Sequence, residues 1–129
     1  MNAAKKIVVM DDSDTVRKML AAILEDAGHQ VFTCEFWDDA RRLLGEHAPD
    51  ALILDVNMPY AQGDSIAYVV KRTFPGVVVL YYSGADEEQL RALTAATGAD
   101  GYVRKSEDFD GLLAALATHL GDGRAGTAR

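Results

Sequence analysis

The feature that most constrains this fold is a fivefold alternation of short apolar runs with amphipathic stretches. The runs occupy residues 7–10, 31–34, 51–54, 77–82 and 101–103. Most are continuous rather than alternating, which predicts strands covered on both faces. The intervening stretches carry apolar residues at helical spacing. In the first, Val16, Met19, Leu20, Ile23, Leu24 and Ala27 share one face, with Ser13 or Asp14 to cap the start and Gly28 to end it. Helices are predicted over 38–47, 64–74, 87–97 and 108–120, and Pro49, Pro75-Gly76 and Gly98 terminate three of them. Strand followed by helix, five times over, predicts an α/β protein with right-handed crossovers and a parallel, doubly wound sheet in a three-layer sandwich.

A chain of 129 residues fits one domain. We expect that domain to span 1–120 and read 121–129, small and glycine-rich, as a loose tail or linker remnant. The formal net charge of −7 argues against direct nucleic-acid binding, which needs a basic face. The single cysteine, Cys34, cannot build a disulfide framework or a thiolate zinc site. No apolar run approaches the roughly 20 residues that span a bilayer. These features predict a cytoplasmic protein without a membrane role.

The strand ends carry the chemistry. Asp11 and Asp12 follow the first run, and Asp55 ends the third in "ALILDVNMP". Acids after strands often serve only as turn formers or helix caps. Three at neighbouring strand ends are harder to dismiss. In an open parallel sheet such ends line the ligand crevice. Carboxylates this close repel unless a cation joins them. An oxygen-only donor set suits Mg2+, or alternatively Mn2+, and disfavours zinc. A metal beside a carboxylate suggests phosphoryl transfer with an aspartate as nucleophile. Ser83 and Lys105, after the fourth and fifth runs, offer a hydroxyl and an ammonium for phosphoryl oxygens.

The set Asp11, Asp12, Asp55, Ser83 and Lys105, with "DDS", "DVNMP", Gly63 and "GADGYVRK", resembles the receiver domain of two-component response regulators, in particular the single-domain chemotaxis type. The resemblance runs from about Lys5 to Leu120. It implies a flavodoxin-like (βα)5 fold with strand order 2-1-3-4-5. It also implies Asp55 as phosphoacceptor, taking a phosphoryl group from a histidine kinase or histidine phosphotransfer protein. Asp11, Asp12, Asp55 and the backbone carbonyl of Asn57 would hold Mg2+. Ser83 and Lys105 would bind the phosphoryl group, and Ser83 and Tyr102 would act as the switch. Output would pass through the fourth helix, fifth strand and fifth helix to a downstream protein, from a monomer or a phosphorylation-dependent homodimer. The only chemistry implied is self-catalysed phosphoryl transfer and autodephosphorylation.

Three features depart from the family pattern. Ser106 stands where a proline usually follows the lysine. A cis bond costs about 2.5–4 kcal/mol without proline, so a trans or rearranged Lys105–Ser106 link is expected. Gly84 follows Ser83, where alanine is frequent. Tyr81-Tyr82 is bulkier than an aliphatic pair, and one ring should face each helix layer. His29, His47 and His119 are expected at the surface or as capping groups, Cys34 in the core, and Trp37 at the start of the second helix. Two rival readings remain. A pseudo-receiver would keep the fold without phosphorylation. A haloacid dehalogenase-type phosphatase would want a second aspartate at the position of Asn57.

Overall fold

The computed structural model describes residues 4–58, 61–105 and 109–120, with side chains at 4–56, 65–105 and 110–120. The expected tail, Pro59 and Ser106 lie outside the described residues, so the expectation for the Lys105–Ser106 link does too.

Five strands form one parallel sheet: β1 (Lys6–Met10), β2 (Gln30–Cys34), β3 (Ala51–Leu54), β4 (Val78–Ser83) and β5 (Gly101–Arg104). Their spatial order is β2-β1-β3-β4-β5. Helices α1 (Asp14–Asp26), α2 (Trp37–His47), α3 (Gly63–Thr73) and α4 (Glu87–Thr97) fill the four crossovers, and α5 (Phe109–Leu120) follows β5. Each expected element is present, with ends shifted by a residue or so. One element has no counterpart in the sequence reading: a two-stranded antiparallel ribbon pairing Asn57–Met58 with Ala61–Gln62 between β3 and α3. Ser83 is also placed differently. It is the last residue of β4, paired with Arg104, rather than the first residue after it.

Alternation along the strands divides the core into two layers. Leu52, Leu54 and Tyr81 face Leu44 of α2, Val70 of α3 and Leu90 of α4. Ile53, Leu80 and Tyr82 face Leu20 and Leu24 of α1 and Leu112 and Leu116 of α5. The two tyrosines thus serve opposite layers, as expected. Tyr81 is fully buried, and its hydroxyl is satisfied by Thr97 Oγ1 at 3.0 Å. Central β3 is at most 1% exposed along its length, which makes it a rigid support for whatever follows it.

Capping is local and specific. Ser13 accepts from Val16 N at 3.2 Å at the start of α1, and Asp86 accepts from Gln89 N at 2.8 Å at the start of α4. Gly28 (φ 99°) follows α1, and Gly98 (φ 81°) closes α4, where a side chain would be strained. At the sheet's amino edge Asp100 accepts from Lys71 Nζ and Val79 N, both at 2.8 Å, tying α3 to β4 and β5.

The histidines are more specifically used than expected. His29 Nδ1 accepts from Lys5 N at 3.1 Å, ahead of β1. His47 stacks on Phe32 with ring centroids 4.2 Å apart. Cys34 is buried and Trp37 opens α2, as expected.

Candidate metal centre and acidic cleft

The direction of the chain across the sheet reverses between β1 and β3, and the acidic residues lie there. Met10 is in register with Leu54, so Asp11 and Asp55 emerge side by side. Asp55 N donates to Met10 O at 3.2 Å, and Asp11 N donates to Cys34 O at 3.2 Å, extending the ladder by one residue. Both carboxylates are held at the end of a sheet that cannot yield, and they are only 2% and 5% exposed. Asp12, half-buried on the β1–α1 loop, completes the group. Oxygens of Asp11, Asp12 and Asp55 all lie within 4.8 Å of one another.

The next strands supply the remaining groups in order. Ser83 ends β4 fully buried, and its Oγ accepts from Ala85 N at 3.2 Å. Lys105 follows β5, and its backbone N donates to Ser83 O at 2.8 Å. Its Nζ reaches back across β4 to Asp11 Oδ2 at 3.0 Å and Asp55 Oδ2 at 3.2 Å. The Tyr82 ring lies under the same ammonium, 5.9 Å from centroid to Nζ. A depression of 170 Å³ lined by Val16, Met19, Tyr82 and Lys105 adjoins it.

The electrostatics follow from burial. Desolvation pushes the Asp11 carboxyl above its ordinary value, and the Ser13 N–H and the Lys105 ammonium offset only part of that rise. Burial alone would depress Lys105. The hydrogen bond to Asp11 and the charges of Asp11 and Asp55 outweigh it, so its pKa is raised. Among the described residues, the Lys105 ammonium stands against three clustered carboxyl groups, a balance that favours a further cation. A hard divalent cation with few protein ligands suits this all-oxygen donor set.

Tyr102 lies on β5, half-buried against the α4 layer. Its hydroxyl donates to Glu87 Oε2 at 3.0 Å, and Glu87 also pairs with Arg91 at 3.4 Å. Sequence reasoning named Tyr102 but not Glu87. It also missed Arg17, whose Nη1 donates to the Asp11 carbonyl at 2.6 Å. Both work through atoms that residue patterning does not reveal. The backbone of Asn57 enters the short ribbon directly after the acidic β3 end.

A doubly wound sheet that gathers carboxylates, a buried hydroxyl and an ammonium at its switch point defines an α/β protein with an acidic cleft at the strand carboxyl ends. The chain belongs to the response regulator receiver domain family, whose model matches residues 7–117. It is 35% identical over 107 residues to the phosphate regulon transcriptional regulatory protein PhoB of Klebsiella pneumoniae, covering 79% of this chain and 45% of PhoB. The chain thus spans about half the length of such relatives. Among solved structures it is similar to Vibrio cholerae chemotaxis protein CheY4 (TM-score 0.83, 27% identity, covering 90% of this chain and 98% of CheY4). It is equally similar to the BeF3-activated N-terminal receiver domain of Klebsiella pneumoniae RstA (TM-score 0.83, 26% identity, covering 90% and 98%). The protein is a receiver domain of two-component signalling, with the acidic cluster typical of the phosphorylation site. Among the described residues no helix is long and apolar enough to cross a membrane.

Proposed function

We propose that Asp55 is the phosphoacceptor of this receiver domain and that Asp11, Asp12, Asp55 and the Asn57 carbonyl hold Mg2+ beside it. The observation that carries this reading is the contact of Lys105 Nζ with Asp55 Oδ2. Lys105 also meets Asp11, at 3.0 Å, but Asp55 is the one of the two that directly follows the fully buried central strand β3, which supports it as the acceptor. When bound, Mg2+ neutralises charge on the transferring phosphoryl group. A carboxylate oxygen of Asp55 forms the new P–O bond as the P–N bond of the donor phosphohistidine breaks, and the imidazole departs with the bond's electron pair. Rigid β3 holds the nucleophile in line. Lys105, already at the acceptor, pairs with the product's added charge of roughly −1.5 to −2. Ser83 turns its hydroxyl towards the phosphoryl oxygens, and Tyr102 leaves Glu87 to fill the space behind it. The surface of α4, β5 and α5 then changes for a downstream partner.

A receiver domain implies a histidine kinase partner, or a histidine phosphotransfer protein in a relay. The expectation of no nucleic-acid contact extends only to these 129 residues. PhoB is by name a transcriptional regulator, and more than half of it lies outside the match. A cytoplasmic location and a switch without substrate turnover, beyond its own phosphorylation and autodephosphorylation, complete the reading.

Beryllofluoride binding in the presence of Mg2+ tests it. Binding to the wild type and none to Asp55→Ala is expected. Equal binding by both refutes Asp55. Wild-type indifference to beryllofluoride favours the pseudo-receiver, and multiple turnover of phosphomonoesters favours the phosphatase.

A further inference from the structure

The Asp12 carboxylate faces the cleft without restraint of its own. Among the described residues no hydrogen bond or ion pair holds it, although it lies within 4.8 Å of the Asp11 and Asp55 carboxylate oxygens. Asp11 is the opposite case. Its N–H donates to Cys34 O at 3.2 Å, its Oδ1 accepts from Ser13 N at 2.9 Å, and its Oδ2 meets Lys105 at 3.0 Å. Its carbonyl accepts from Arg17 Nη1 at 2.6 Å. That carbonyl and the Asp12 N–H belong to one rigid peptide plane. The orientation of the plane fixes the position of the Asp12 Cα, the point from which its carboxylate reaches the cleft.

We infer that Arg17 is a positioning residue for Asp12: by clamping the Asp11–Asp12 peptide plane it aims the least restrained carboxylate of the cleft at the cation. The guanidinium is well suited to the task. Its side chain is only 16% exposed, and its second nitrogen rests 3.3 Å from Asp14 Oδ1, one residue into α1. The fork thereby ties the first turn of α1 to the end of β1. A charge-assisted hydrogen bond to a carbonyl in this setting is stronger than a neutral one, and a lysine has no second arm with which to keep both contacts.

The inference rests on the reading that the three aspartates bind Mg2+, and its test separates the two. Mg2+ is titrated calorimetrically into the whole chain, into Arg17→Lys and Arg17→Met, and into Arg42→Met as a remote control. Positioning and simple charge make opposite demands. Losing a positive charge near an acidic site should tighten cation binding, so a purely electrostatic role predicts tighter binding in Arg17→Met and no change in Arg17→Lys. The positioning role instead weakens both, by roughly tenfold, the lower end for outer partners of metal sites. It also shifts the Asp12 amide resonance and leaves Arg42→Met unchanged. Phosphorylation at saturating Mg2+ should recover in both variants. If either variant folds poorly by circular dichroism, Arg17→Gln takes its place: it loses the same positive charge and is too short to keep the fork, so positioning again predicts weaker binding and charge alone predicts tighter binding. Wild-type affinity in both Arg17 variants overturns the inference. A wild type that fails to bind Mg2+ overturns the metal-site reading, and the inference falls with it.

Discussion

Lys105 and Asp55 lie 50 residues apart in sequence, yet Nζ and Oδ2 stand 3.2 Å from each other at the sheet's carboxyl edge. The contact is made possible by strand order: β4 separates β3 from β5, and Lys105 spans it. The ammonium is thereby the counter-charge shared by two buried carboxyl groups.

Replacing it exposes that role. Lys105→Ala removes the cation that the buried Asp11 and Asp55 share, and a lost hydrogen bond to a charged group costs about 1.5–3 kcal/mol. Lys105 is 26% exposed, so solvent screens part of the loss. Urea denaturation without Mg2+ should show destabilisation of about 1–3 kcal/mol. Added Mg2+ should return most of it, which a lost packing contact would not explain.

Glu87 should bias the position of Tyr102. Their hydrogen bond, 3.0 Å long and solvent-exposed, is worth about 0.2–1 kcal/mol by comparison with exposed ion pairs. A full switch needs about 5.5 kcal/mol. Glu87→Ala or Tyr102→Phe should therefore raise the inward population only a few-fold. Aromatic NMR of the unphosphorylated chain reads this. A change in global stability with no change in ring environment would show that Glu87 has no bearing on the switch.

Cys34 is a core residue whose thiol burial pushes up to about 12. At pH 8 the folded chain should resist alkylation, with reactivity following global unfolding in denaturant. The sign of the linkage is fixed by the same shift. Above the ordinary value near 9 the unfolded thiol ionises while the folded one stays protonated, so stability falls as pH rises from about 9 towards 12. Cys34→Ser, compared with wild type across that range, should show a flatter decline.

Gly101 sits at a close approach. A Cβ there would lie 2.8 Å from His119 Nε2 and 3.2 Å from Leu80 Cδ2. The histidine is exposed near the end of α5 and can move, but Leu80 is fully buried. Gly101→Ala should cost about 1–3 kcal/mol, as overpacking does. His119→Ala in the same chain should recover only part of the loss in thermal denaturation.

How much of this was legible in the sequence depends on which atoms carry the information. The sheet was legible because runs such as 51–54 are apolar without interruption, a pattern that strands buried on both faces impose. The cleft was legible because Asp11, Asp12, Asp55, Ser83 and Lys105 each sit at or just past a strand end, where the fold brings loops together. The ribbon of Asn57–Met58 with Ala61–Gln62 was not, since two-residue strands have no periodicity to detect. Nor was Arg17, which occupies an ordinary polar position on α1 and acts on a backbone carbonyl. Backbone partners are set by three-dimensional placement, and any residue type carries the carbonyl that accepts. The Tyr102–Glu87 bond was hidden for a related reason: a long acidic side chain at a helix start reads as favourable charge placement, whatever it touches.

The most direct test of the central claim is intact-mass measurement of the chain after incubation with acetyl phosphate and Mg2+. The expected result is the addition of one phosphoryl group to wild type, lost on chelation of Mg2+ before the donor is added and absent in Asp55→Ala. Undiminished phosphorylation of Asp55→Ala, or none in wild type with Mg2+ saturating, would contradict it.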